Sequence, residues 1–447
     1  MLSHSIIKPL FLKEVKSLLT VKALWIMLII LSLLTGYSFV QAVNLFSQAS
    51  RTALQYPEMA RGMDPYRGVF IPTFGALYLV TTLLFPFTAI KLISSEKHSG
   101  SLKLLVQSVL NLRYIIAVKT AALTIGWLLA LVPALSAVAA WGMIGGHIFL
   151  PEVLNLVLGY TLYAFVITGI AFFAASVTSS TATAAILTLA FTLGSWVLDF
   201  AAGTQSWLHS ISSVSLTALL RTFEHGLFSL STTGQALTAA LGFLVLSTVW
   251  LNSGTKLRWK LFRSLVVITC SVMLSVPVSE LRVFDDVTEN RSNSFNPADE
   301  AALKQMNEPL TITVYLSRED SRRHDYDTNI LSILERTVPE LTTIYPYDST
   351  GSLPGTVSDD KYGLIEYDYN GIHDESWSNS PGEVLPILHQ LAGQTVTFSE
   401  VQQYPGYPVV TDAGSSNTWF YIILPLVFLL LWWFTNRLPR NRKKETQ

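Results

Sequence analysis

Histidine, aspartate and arginine crowd into the stretch 318–327, where His324, Asp325 and Asp327 stand beside Arg322 and Arg323. Such a set could relay protons or ligate a metal. At this density of mixed charge, however, the default expectation is a solvated loop. Asp368, Asp374 and Glu375 are oxygen donors suited to calcium, but their spacing matches no calcium loop. The single cysteine, Cys270, lies in an apolar run. It excludes a disulfide within the chain and a thiolate metal cluster, and is expected to be a small buried hydrophobe. No G-x-x-x-x-G-K-[ST] is present, so the chain lacks a phosphate-cradling loop with its lysine. H-E-x-x-H, G-x-S-x-G and C-x-x-C are absent as well. No catalytic residue, metal site or bound cofactor is expected. Any ATP used would be hydrolysed by a separate subunit.

Two further sets of residues draw attention. Glu152, Asp199 and Glu280 stand near the ends of apolar runs. Ionisable groups in such places are functional candidates by default, here for lining a substrate route. The second set is the polar segment 94–119, SSEKHSGSLKLLVQSVLNLRYIIAVK, lying between two long apolar runs. It opens with Glu96 and Lys97 and passes Gly100. It then presents Leu102, Leu105, Val106 and Val109 on one helical stripe. On pattern alone this is equally a helix lying in the membrane interface or one that docks a soluble partner.

Membrane helices must position all of these. Half the residues are hydrophobic and only 14% are charged, against about a quarter in soluble proteins. A net charge of −1 gives no overall bias, and no nucleic-acid partner is expected. A bilayer core takes about 20 apolar residues per helix. Runs of that kind lie near 23–43, 71–93, 115–144, 153–176, 181–202, 235–251, 264–278 and 419–434. The first is too long for a cleaved leader and is expected to stay in the membrane. Pro133 should kink the third, and Pro277 interrupts the short seventh.

Basic residues favour the cytoplasmic side. Clusters at 8–22, 91–119, 256–263 and 437–444 all fall on one side if eight spans start inside. Arg51, Arg61 and Arg67 in the first outside loop oppose this, partly balanced by Glu58 and Asp64. The predicted organisation is an amphipathic interfacial helix (1–22), six spans (23–251), a basic cytoplasmic loop (252–263) and a seventh span (264–279). An extracytoplasmic domain (280–417), an eighth span (418–435) and a basic tail (436–447) follow. In the first helix, Ile7, Leu10, Phe11, Val15 and Leu18 make the apolar face. Lys8, Lys13, Glu14 and Lys16 make the polar one.

The insert at 280–417 turns polar and is long enough for a small domain. Residues 310–316 (LTITVYL) alternate as a strand, and 327–341 have helical spacing. A second strand is predicted at 341–345, and a hairpin at 362–369 turning at Asn370-Gly371. A helix at 383–391 and a strand at 395–401 complete the reading. The order suggests a small α/β domain of thioredoxin-like type, without the cysteines of redox exchange.

Lys13-Glu-Val-Lys-Ser17 on the first helix resembles the start of type-2 ABC exporter permeases. Glu96-Lys-x-x-Gly100-Ser-Leu-Lys-Leu-Leu105, then Val109 to Arg113 and Lys119, is similar to that family's E-x-x-x-G-T-L-E-L-L-L-x-x-P-V-S and following lysine. Ser101 stands for Thr, Lys103 for Glu and Val109-Leu-Asn for Pro-Val-Ser. The subgroup resembled is the gliding-motility and nitrous-oxide-reductase-maturation type. Phe295-Asn-Pro-Ala-Asp-Glu and the stretch from Asn307 to Ser317 resemble the gliding-motility auxiliary protein. The resemblance implies a permease fused to a shortened auxiliary domain, in a bacterial inner membrane with both termini cytoplasmic. It implies a cytoplasmic ABC ATPase partner and a second permease copy or homologue. A periplasmic or surface protein would meet the outer domain. Glu96, Lys97, Gly100, Ser101, Leu102 and Leu105 would carry the coupling helix, and Lys13, Glu14 and Lys16 the interfacial helix. The alternative implied is a mechanical coupler that carries no solute.

Overall fold

In lipid a backbone must satisfy its own hydrogen bonds, so long apolar runs become helices. In the computed structural model, the described residues are 2–102, 111–202, 215–252, 254–349, 359–394 and 404–437. Among them, eight helices are long and apolar enough to cross a bilayer. A leading helix α1 (Leu2–Leu19) precedes α2 (Lys22–Ala53), α3 (Tyr66–Ser99), α4 (Leu112–Met143) and α5 (Leu150–Val177). Next come α6 (Thr181–Ala202), a short α7 (Leu216–Glu224), α8 (Leu230–Leu251) and α9 (Leu257–Ser279). The chain divides into two units. These helices, with 405–447, form the first, and 225–227 with 285–404 the second.

In the first unit α5 is the most enclosed span, 72% buried, against α3, α7 and α8. The helices outrun the sequence-predicted spans. α2 has 32 residues, roughly 48 Å of helix against a core of about 30 Å. α4 continues through Pro133 as one helix. The seventh span is not the short, broken segment expected. α9 is a 23-residue helix with Pro277 in its last turn, so the bond that proline removes affects only the final turn and the rest of the helix stays intact. It packs on α8, where a Cβ added at Gly234 would meet Val278 at 2.7 Å and one at Gly242 would meet Ser271 at 2.7 Å. None of its residues is buried, so Cys270 is exposed and not a core residue as expected.

The eighth span, α13 (Gly414–Arg437), packs instead on α2. Ser32 Oγ donates to Phe420 O at 2.7 Å. A Cβ on Gly36 would lie 2.4 Å from Phe420 Cβ. A small residue is what lets two membrane helices come this close. Before entering α13, residues 405–413 run along the end of α2 away from α1. Val409 N donates to Ser50 Oγ (3.0 Å), Thr411 N to Ser47 Oγ (3.1 Å) and Tyr407 N to Met63 O (2.9 Å).

The second unit holds a four-stranded sheet ordered β4 (Leu341–Ile344), β3 (Leu310–Val314), β5 (Ile365–Tyr369), β6 (Ile372–Ser376). The strands β1 (Leu227–Ser229) and β2 (Phe284–Asp286) pair separately. β3 and β4 are parallel, joined by helical residues 321–337, and β5 is antiparallel to both β3 and β6. The hairpin turns on Asn370 (φ 53°) and Gly371 (φ 80°), the left-handed pair of a two-residue turn. Helices Pro297–Leu303 (α10), 321–337 (α11) and Pro381–Leu391 (α12) cover the sheet. The strand expected at 395–401 lies outside the described residues.

Residues 318–327 are largely solvated as expected, with Arg322, His324 and Asp325 exposed, but from Ser321 they are helical and not a loop. Asp320 caps α11, Arg323 is buried, and its guanidinium takes Asp348 on two bonds (2.8 and 2.7 Å) over the Tyr345 ring. This stitches α11 to the residues after β4, a structural use of charges that looked catalytic.

Gly36→Val should overpack the α2–α13 contact and destabilise the purified protein by about 1–3 kcal/mol. Gly75→Ala, with open space around it, should be neutral. Thermal unfolding in detergent compares the two.

Candidate functional site

Lys119 sits two turns inside α4 and only 1% of its side chain is exposed. An unpaired ammonium there would be very costly, so carboxylates must come to it. Glu14 arrives from α1, its Oε2 at 2.7 Å, and Glu96 from the end of α3, its Oε2 at 2.8 Å. Lys119 Nζ also donates to Leu92 O at 2.9 Å. Lys13 closes the cluster from the outer side, bonding Glu96 and, at 3.1 Å, Glu14. Two carboxylates and two ammoniums thus balance. Burial alone would lower the Lys13 ammonium. Its bond to Glu96 and the field of Glu14 outweigh that and hold it above its usual range.

Lys97, next to Glu96, reaches the opposite way. Its Nζ donates to Ser176 O (2.9 Å), Thr178 O (2.5 Å) and Ala175 O (3.3 Å), the orphan carbonyls at the end of α5. A cation at a helix C-terminus is favoured by the dipole as well. Two adjacent residues of α3 therefore bind α1, α4 and α5 together. α3 then stops at Gly100, whose φ of +73° is the left-handed cap that other residues adopt only with strain. Ser101 restarts the helix, and Leu102 (6% exposed) turns back into the bundle core.

The sequence expectation needs correction here. Glu14 was assigned to the polar, outward face of α1; it is buried, because Lys119 needs it. Glu96, Lys97 and Leu102 were assigned to a docking surface. They face inward and anchor the base of the segment. Lys16 is exposed as expected, Ser101 is half-exposed, and Leu105 lies outside the described residues. Lys119 was read only as a flanking basic residue. One signal was available: Glu14, Glu96 and Lys119 each interrupt an otherwise apolar helical face.

The three acids proposed for a substrate route are not brought together. Glu280 caps the end of α9 and is exposed. Asp199 pairs with Arg221 of α7 at 3.2 Å. Glu152 is buried in the first turn of α5. Glu152 does adjoin a polar group that the sequence gave no reason to expect. Tyr66 Oη (2.9 Å) and Asn155 Nδ2 (3.1 Å) both donate to Phe223 O, and Tyr160 Oη donates to Glu224 at 2.8 Å. These bonds satisfy the C-terminal end of α7 and tie it to α3 and α5. Among the described residues, no group of three or more metal-ligating side chains converges.

Comparison of the chain with known protein families, with characterised proteins and with solved structures returns no match.

Removing one member of a buried charge set strands the others, at about 3–5 kcal/mol. Lys119→Met should therefore cost far more than Lys13→Met, since Lys13 is half-exposed. Adding Glu14→Gln to Lys119→Met should recover part of the loss. Thermal melts of wild type, Lys119→Met, Glu14→Gln and the double variant form the cycle that measures it.

Proposed function

We propose that this chain is the membrane-spanning permease subunit of an ATP-binding-cassette exporter, worked by a separate cytoplasmic ATPase. The observation that supports this most is the wiring beneath Gly100. A segment rooted by Glu96 and Lys97 in α1, α4 and α5 can pass a push at its tip into three helices at once. The bonds at its base are charged and buried, so they resist shear better than an apolar contact. Gly100 is then the joint between lever and bundle. The docking contact itself falls to the residues beyond Leu102, with Glu96, Lys97 and Leu102 as the root. Two such chains, or one and a homologue, would pair with two ATPases in the inner membrane. ATP-driven closure of the ATPases would reorient the spans.

A second reading, motion delivered to an outside protein without any solute, draws on a different observation. The two helices that flank the second unit in the chain pack on different partners, α9 on α8 and α13 on α2. Relative movement of α2 and α8 would therefore reach the domain through both of its connections. On this reading the domain at 280–417 is the output of the machine.

Affinity purification of the whole chain should bring an ATPase with it; a preparation that stays free of nucleotide hydrolysis would overturn the proposal. Spin labels at the exposed Met143 and Met273 should then change distance on addition of ATP. Gly100→Val, which strains the joint by about 1–2 kcal/mol, should leave hydrolysis running and shrink the distance change. Equal changes in both proteins would exclude Gly100 as the joint.

A further inference from the structure

The lysines at this end of the bundle fall into two kinds. Lys13, Lys97 and Lys119 are each paired, as described above. Lys22 and Lys91 are not: no acid or carbonyl meets either among the described residues. Both line one cleft of about 570 Å³ bounded by the α1–α2 elbow, α3 and the start of α6. Ser95, one turn after Lys91, and Thr181, the first residue of α6, add hydroxyls without partners among the described residues. Val21 and Ala23, at the start of α2, line the same space. No carboxylate lines the cleft, because Glu14 and Glu96 are consumed by Lys119. Phe87 and Ile90 supply an apolar wall beside the charges.

A concave site with two uncompensated ammoniums and free hydroxyls calls for a compact polyoxygen anion. Its place, at an elbow where helices enter the bilayer, calls for one that can carry a hydrocarbon body. We propose that this cleft binds a phosphate group, with Lys22 and Lys91 clamping it and Ser95 and Thr181 donating to its oxygens. The phosphate could belong to an anionic phospholipid headgroup lying against Phe87 and Ile90, or to a soluble phosphate ester. Bound there, it would bridge the elbow, α3 and α6. This inference does not depend on the ATPase reading.

The test uses the full chain, equilibrated with mixed phosphatidylglycerol and phosphatidylcholine vesicles and examined by native mass spectrometry. Wild type should retain phosphatidylglycerol in preference to phosphatidylcholine. Lys22→Ala with Lys91→Ala should reduce that retention at least about tenfold. Lys16→Ala, an exposed lysine outside the cleft, should leave it unchanged. Thr181→Trp, which fills the cleft and removes no charge, should give the same loss as the double variant; it also keeps the test decisive if that variant folds poorly. Inorganic phosphate at millimolar concentration separates the two sources. Retention that survives it marks a lipid site, and displacement marks a site for soluble phosphate. Equal retention by wild type, the double variant and Thr181→Trp would overturn the proposal. So would an equal loss from Lys16→Ala, which would mean that charge anywhere on this end suffices.

Discussion

A charged amine buried between helices is the constraint from which much of this bundle follows. Lys119 cannot reach water, and one carboxylate would leave it only half satisfied. Two are therefore recruited, from elements 82 residues apart in the chain, Glu14 and Glu96. Once they are in place, α1 can no longer float in the interface as an independent amphipathic helix. It becomes a member of the bundle, with Leu10 packed on Ile115 and Val118 of α4. The same requirement sets the rotation of α3. That rotation aims Lys97 at the end of α5 and leaves Lys91 facing away from Glu96.

The other polar contacts are of a milder sort, and several of them close helix ends. Tyr66, Asn155 and Tyr160 close the last turn of α7. Thr82 and Tyr163 share a hydroxyl bond of 2.7 Å between α3 and α5. Those of them that join hydroxyls, amides and carbonyls are worth about 0.6 kcal/mol each on average in a membrane. They tune the fit of helices that shape complementarity and small residues already bring together. The charge cluster differs in kind, because its members cannot be left single.

Much of the fold was readable from residue order. Apolar length located all eight membrane helices, and β-branched alternation with Asn370-Gly371 located the strands β3 to β6 and their hairpin. What escaped was the direction in which charges point. Glu14, Glu96 and Lys119 interrupt apolar faces and Arg323 sits among other charges, yet exposure was the natural default for each. The partners named above lie 23 to 105 residues away. No local pattern reveals such a pairing. Pro277 misled for a different reason: it lies so near the C-terminal end of α9 that the bond it removes leaves the preceding turns intact.

The chain that returns from the second unit is held to α2 by its backbone. Val409 and Thr411 offer amide hydrogens to Ser50 and Ser47, and their own side chains are not needed for the bond. An attachment of this kind places its evolutionary burden on one side only. The two serines, at consecutive turns of a helix, are constrained to hydroxyl residues. The strip from Val409 to Thr411 can drift in sequence and still hold, provided that proline does not replace a donor. Sequence change in the second unit would then leave the attachment of the returning chain to α2 intact.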